Sequence, residues 1–242
     1  MRILLNLESV SVSYGTLNVL NSVSMTFQRR EFVCIIGSNG MGKSTLLKTI
    51  VGFIHPREGK VTLSVDDISK SEPHEIIKLG ISMVPEGRHV FPQLSVKQNL
   101  IVASQIGRAQ KKRQQNMENI FSFFPALKEK LNSLAGNLSG GQQQQLSIAR
   151  ALMQEPDVLM LDEPSLGLSP IAVKSVYGAL KAIRKSRPDL VIVLVEQNAK
   201  VALENSDRGY VLEFGKVALS GTSGELQKNA LLRQKYLGVL AT

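Results

Sequence analysis

Tryptophan is absent from this 242-residue chain, cysteine occurs once, and no apolar run approaches the length of a membrane span. Cys34 cannot form an internal disulfide. It lies in "FVCIIG", where a small buried hydrophobe is the simplest reading, and a reducing compartment fits. The longest uninterrupted apolar run, residues 190–195, falls far short of the ~20 residues that cross a bilayer, so the chain is not expected to span a membrane by itself. Its opening "MRILLNLES" is interrupted by Asn6 and Glu8, too polar for a secretory core, and reads as a first strand. Aromatic residues make up only 5% of the chain and no basic patch is interleaved with them, so a base-stacking surface has little support and nucleic acid is not expected as a partner. The net charge of +9 is compatible with nucleic acid or an anionic membrane face, without choosing between them. The densest basic cluster, Lys111, Lys112 and Arg113, reads as a solvated helix face, with docking near headgroups or a partner as the alternative.

Apolar residues (43%) are plentiful enough to build a buried core, and the chain has no internal repeat or long linker. Its beginning is a region of short strands, "LESVSVSY", "SVSMTF" and "FVCIIG", separated by turn residues. A helix is expected over 43–51, a strand over 59–65 and a short helix in "PHEIIKLG" between Pro73 and Gly80. From about 95 to 155 the pattern turns helical, with helices expected over 96–106 and 111–124 and a third reaching Gln154. Two almost wholly apolar runs follow, "VLML" at 158–161 and "LVIVLV" at 190–195, joined by an amphipathic helix over 170–186. Such runs are strands buried on both faces. The fold class is therefore α/β: a parallel sheet covered by helices, with an antiparallel β region at the start and an inserted helical subdomain. The boundaries are residues 1–94 and 156–242 for the core and 95–155 for the insertion.

Three motifs carry chemistry. "GSNGMGKST" at 37–45 satisfies G-x-x-x-x-G-K-[ST] between an apolar strand and a helix. Gly37, Gly40 and Gly42 let backbone amides turn inward beneath a helix amino end, a cradle for consecutive phosphates. Lys43 adds a positive charge and Ser44 a hydroxyl able to ligate Mg2+; Ser38, Asn39, Met41 and Thr45 complete the loop. "VLMLDEP" at 158–164 puts Asp162 and Glu163 at the carboxyl end of a buried strand, where open α/β sheets place ligands. Asp162 suits Mg2+ and Glu163 suits the general base that activates water. "LSGGQ" at 138–142 opens a helix-like stretch and looks built to hold an anion, although the chain already has the better cradle a hundred residues earlier.

Together and in this order, "GSNGMGKST", "LSGGQ" and "VLMLDEP" resemble the ATP-binding subunits of ABC transporters over essentially the whole chain. The resemblance implies ATP and Mg2+ as cofactors and ATP hydrolysis as the reaction. It also explains the second anion site: in the family the signature contacts the γ-phosphate of ATP bound to the opposite subunit, so Ser139, Gly140, Gly141 and Gln142 would serve a facing chain. By the same resemblance Tyr14 in "VSYG" stacks on adenine, although a packing tyrosine would look alike. "SLGLSP" at 165–170 would meet the other subunit; a plain turn before a helix begun by Pro170 describes its backbone equally well.

Two positions depart from the family pattern. Glu86 stands where a glutamine usually faces Mg2+ and the attacking water, as a metal ligand or a plain surface acid. Gln197 replaces the switch histidine; it can hydrogen-bond a γ-phosphate oxygen but cannot become cationic. Together with "VPEGRHVFPQLSV", "LAGNLSGGQQQ" and "DRGYVLEFGKVALSGTSGEL", these departures resemble the smaller ATPase of branched-chain amino-acid uptake systems. That implies a second ATPase subunit as partner, with a homodimer possible in isolation. It further implies two membrane permeases, an extracytoplasmic solute-binding protein acting through them, and a place on the cytoplasmic face of the membrane. Urea or amide importers remain open, as do a soluble ABC ATPase and a nucleotide-binding regulator that does not hydrolyse ATP. The last is disfavoured by the intact Glu163.

Overall fold

The computed structural model describes residues 3–106 and 112–236, so Lys111 of the basic cluster lies outside the described residues. The chain forms two compact units, one of Met1–Ile76 with Val191–Thr242 and the other of Ile77–Leu190.

The first unit opens on β1 (Ile3–Tyr14) and β2 (Leu17–Gln28), an antiparallel hairpin closed where Tyr14 pairs with Leu17 across Gly15, whose φ of +59° matches a tight hairpin turn. β3 (Phe32–Ile36) is buried at every residue and leads through the glycine loop into α1 (Lys43–Ile50). β4 (Glu58–Leu63) pairs antiparallel with the other edge of β1, and the short β5 (Asp66–Asp67) completes a sheet of order β2-β1-β4-β5. Leu5, Leu7, Val10, Val12 and Val61 are fully buried on its inner face, the period-2 signal seen in the sequence.

α2 (Pro73–Leu79) runs into β6 (Ile81–Val84), the first strand of the second unit. Then come α3 (Val96–Ala103), α4 (Arg113–Phe123), α5 (Pro125–Glu129) and α6 (Gly140–Leu152). β7 (Val158–Asp162), wholly buried, pairs parallel with β6, and α7 (Pro170–Ser186) follows. α3 stops three residues short of the expected Ile106 because the Ser104 hydroxyl turns back to the Ile101 carbonyl at 2.7 Å. α4 ends before Phe124, which Pro125 forces out of the helical region, and the five-residue α5 starts at that proline. Of the basic cluster Lys112 is exposed, as a solvated face requires, whereas Arg113 departs from that reading: it is half-buried, and its Nε donates to Ser104 Oγ at 2.7 Å and braces the end of α3.

The chain returns to the first unit through β8 (Val191–Glu196), α8 (Ala199–Asn205), β9 (Arg208–Glu213), β10 (Lys216–Thr222), α9 (Ser223–Lys228) and α10 (Ala230–Tyr236). β3 lies between β8 and β9, parallel to both, and β10 pairs antiparallel with β9. Phe32 to Ile36 and Val191 to Val195 have no exposure, as strands buried on both faces should. Cys34 is among them; burial pushes its thiol up to about 11, and its role is packing. The turn Arg29-Arg30-Glu31 does more than reverse the chain. Glu31 accepts two hydrogen bonds from the Arg208 guanidinium, at 2.9 and 2.8 Å, fixing the start of β9. Among the described residues no helix is long and apolar enough to cross a membrane.

Candidate nucleotide site

The phosphate loop is shaped by its glycines, two of which, Gly37 and Gly42, leave no room for a Cβ without movement. A Cβ on Gly37 would lie 2.5 Å from the Leu212 carbonyl oxygen, so its absence lets the loop rest against β9. Gly42 precedes α1 at φ +98°, where a Cβ would meet Leu20 Cδ2 at 2.8 Å. Gly40, at φ +79°, forms the open tip. No protein side chain caps α1, which leaves its positive end suited to an anion. Lys43 is buried, and its Nζ donates to the carbonyls of Gly37 at 2.7 Å and Ser38 at 3.1 Å, holding the loop curled over its own ammonium. Met41 ties the tip to the β9–β10 turn: its carbonyl accepts from Gly215 N at 3.3 Å and its sulfur from Phe214 N at 3.2 Å. Asn39 is exposed, whereas Ser38, Ser44 and Thr45 are half-buried. Elsewhere in this unit Tyr14 ends β1 with its ring half-exposed, and Gln197 is exposed between β8 and Asn198, which caps α8.

In the second unit Asp162 is buried at the tip of β7, and Glu163 follows in the left-handed region at φ +45°. A non-glycine residue there costs about 1–3 kcal/mol, the kind of strain found where function fixes a side chain's direction. Turn bonds from Leu166 N to Glu163 O and from Leu168 N to Ser165 O shape the loop, and Ser169 caps α7 ahead of Pro170. Residues 165–170 thus form the expected turn and helix start.

The signature forms a capping box at the head of α6. Ser139 Oγ accepts from Gln142 N at 3.3 Å, and Gln142 Oε1 accepts from Ser139 N at 3.0 Å. Its two glycines have neighbours of their own. A Cβ on Gly141 would lie 2.8 Å from Ala172 Cβ of α7, and one on Gly140 would lie 2.8–3.0 Å from the Arg88 guanidinium. Arg88 was not anticipated as a site residue. It donates to the Gly167 carbonyl at 3.3 Å and to Gln143 Oε1 at 3.4 Å, joining the signature helix to the loop after Glu163. The only hint in the sequence was an arginine two residues after the unusual Glu86, which is itself exposed. His89 and Phe91, next along this segment, are held by Arg150, which donates to the His89 carbonyl and stacks 4.3 Å over the Phe91 ring.

A glycine cradle at a helix head, a strand tipped by adjacent acids and a signature helix define a phosphate-loop ATPase cassette. The chain belongs to the ABC transporter family, whose model matches residues 20–166. It is 39% identical over 97% of its length to the whole of BraG from Pseudomonas aeruginosa, a high-affinity branched-chain amino acid transport ATP-binding protein. It is 35% identical over 98% of its length to the whole of LivF from Archaeoglobus fulgidus, a probable protein of the same kind. Among solved structures, the ADP conformation of the ATP-binding cassette MJ1267 superposes on 99% of this chain and all of its own with a TM-score of 0.85 at 25% identity. A dimeric bacterial ABC transporter cassette, MJ0796, covers 90% of this chain and 98% of its own with a TM-score of 0.76 at 26% identity.

Proposed function

We propose that this chain is the ATP-hydrolysing subunit of an importer for branched-chain amino acids, acting on the cytoplasmic face of the membrane. The phosphate loop carries the reading. Three glycines shape a cradle at the uncapped head of α1, with the Lys43 ammonium buried behind it. Gly37 to Thr45 hold the triphosphate, with Tyr14 stacking on the base. Oxygen donors suited to Mg2+, a hard cation that takes few protein ligands, occur in each unit taken by itself: Ser44 offers a hydroxyl on the first turn of α1 in the first, and Asp162 a buried carboxylate in the second, with the exposed Glu86 as a further donor. When bound, the ion neutralises charge building on the phosphates. Glu163 is the general base, its direction fixed by the left-handed backbone. Gln197 donates its amide to the terminal phosphate.

The signature residues Ser139 to Gln142 serve ATP on a facing ATPase chain, a pairing supported by the dimeric cassette to which this chain is similar. We place the nucleotide-binding core at 1–94 and 156–242 and the signature subdomain at 95–155. A groove of about 240 Å3 of mixed lining, with Phe91, Val102 and Ile106 at its exposed rim and Arg150 and Gln154 among its polar residues, suits a segment of one of two permeases, through which a solute-binding protein acts. Branched-chain amino acids as solute rest on the similarity to BraG and LivF. The test is uptake of labelled leucine, isoleucine and valine by cells whose own copy carries Lys43→Ala. Uptake should fall to the level of a deletion strain. Unchanged uptake, with urea or amide import lost instead, would reassign the solute.

A further inference from the structure

We propose that Arg88 is the cation of the shared half-site, carried on the signature face of one chain and contacting the terminal phosphate of ATP held by the facing chain. This rests on the reading that the signature serves a facing chain's nucleotide. The placement of the guanidinium supports it. Both its hydrogen bonds go to neutral oxygens, Gly167 O at 3.3 Å and Gln143 Oε1 at 3.4 Å. Charge-assisted bonds to an anion are typically about 2.7–2.9 Å. Among the described residues Arg88 forms no ion pair, although it is only half exposed.

It also sits at the wrong end of a helix for a cation. The guanidinium covers Gly140, the first residue of the 13-residue α6, where the aligned peptide dipoles are positive and repel it. An anion arriving at that end reverses the balance, because it is attracted at once by the helix and by the arginine. The rest of the signature head cannot supply this charge. Gln142 to Gln145 are neutral, and so is the Ser139 hydroxyl, which can donate a hydrogen bond but brings no charge. A planar fork of five donors suits phosphate oxygens, and with two long bonds in use Arg88 has donors to spare. Left-handed backbone at Gly87, Arg88 and His89, with φ of 89, 70 and 42°, aims the side chain onto this face. Its bond to the Gly167 carbonyl further couples the phosphate contact to the loop that begins at Glu163.

Mixing variants separates action on the facing chain's nucleotide from action on the chain's own. Arg88→Gln removes the charge but keeps an amide donor, and should lower hydrolysis at least tenfold. Binding of fluorescent ATP to the protein at concentrations too low for pairing should stay at the wild-type value. Arg88→Lys should recover part of the loss. Arg88→Gln mixed with Lys43→Ala should regain activity, since one composite site then has two intact halves. Arg88→Gln mixed with Ser139→Arg should not, since both lesions lie on the same face. The opposite pattern would show that Arg88 serves its own chain's nucleotide and would overturn the proposal, as would full activity of Arg88→Gln alone. A control mixture of Ser139→Arg with Lys43→Ala tests the underlying reading by itself. Recovery there, without recovery in the Arg88→Gln and Lys43→Ala mixture, removes Arg88 only. No recovery in the control removes the shared face and the Arg88 assignment with it.

Discussion

The heads of α1 and α6 are both proposed to meet phosphate, yet they are finished differently. Gly42 starts α1 in a left-handed turn with no side chain capping the helix, whereas Ser139 and Gln142 close α6 with a reciprocal capping box. The first arrangement leaves its donors to be satisfied from outside; the second satisfies the Ser139 and Gln142 amides within the chain. A nucleotide therefore supplies partners that the head of α1 lacks, while the signature already meets part of its own demand and keeps the Ser139 O–H to donate to an external acceptor. That difference orders the two events expected of such a protein: ATP is held first by the loop of one chain, and the signature joins when a facing chain closes.

The largest effect that can test this ordering leaves both helix heads intact. Glu163→Gln keeps the shape of the side chain but removes its proton acceptor, so hydrolysis should fall by about 10^2–10^4 with ATP binding retained. Both heads would then be engaged without turnover, and an ATP-dependent dimer should accumulate in light scattering or gel filtration. Near-normal turnover would assign the activation of water to another group.

Next in size is Lys43→Ala, which acts on the α1 head alone. It removes a charge-assisted contact worth about 1.5–3 kcal/mol, so ATP affinity or turnover should drop at least tenfold. The Lys43 ammonium also ties together the carbonyls of Gly37 and Ser38, so the variant should lose part of the thermal stabilisation that ATP gives the wild type. Equal affinity and turnover in the two proteins would show that the curled loop needs no cation.

Ser139→Ala tests the α6 head, and here the effect should appear without nucleotide. Losing a serine cap costs about 0.5–2 kcal/mol, so the melting temperature of the ATP-free protein should fall by a few degrees. Ser139→Thr, which keeps the acceptor, should melt close to wild type. Ser44→Ala at the α1 head should change the ATP-free melt little, because that helix has no cap to lose. Equal destabilisation at Ser44 and Ser139 would erase the contrast between the two heads.

Much of this was legible in the sequence because it is local. The glycine spacing of 37–42, the apolar runs of β7 and β8 and the proline that starts α7 each fix their own backbone, and all stand where periodicity and turn chemistry put them. What escaped depends on contacts distant along the chain. Met41 is braced by Phe214 and Gly215, and the space that Gly37 leaves is taken by Leu212, pairings that no local pattern encodes. Gly140 and Gly141 could be read as small residues, but not as the seats of Arg88 and Ala172. The early end of α3 was hidden for a simpler reason: Ser104 looks helical until its hydroxyl turns back to the Ile101 carbonyl and accepts from Arg113.

The smallest expected effect concerns Gln197, exposed just beyond β8. Asn198, not Gln197, caps α8, so the Gln197 amide has no structural duty in that helix and is available to a phosphate. A neutral amide holds an anion less firmly than an imidazolium, because charge-assisted hydrogen bonds are roughly twice as strong as neutral ones. The isolated protein should accordingly hydrolyse ATP slowly, and a facing ATPase that carries histidine at this place would make the assembled pair unequal. Gln197→His should raise basal hydrolysis about threefold to fivefold, the equivalent of roughly 0.6–1 kcal/mol, and Gln197→Ala should lower it by a similar factor. Neither change should move the melting temperature, since the side chain is exposed and outside the α8 cap. Rates at saturating Mg-ATP decide between the alternatives. Three equal rates would make Gln197 a bystander, whereas a rise with histidine and a fall with alanine would place the amide on the phosphate and supply the charge asymmetry on which an unequal pair depends.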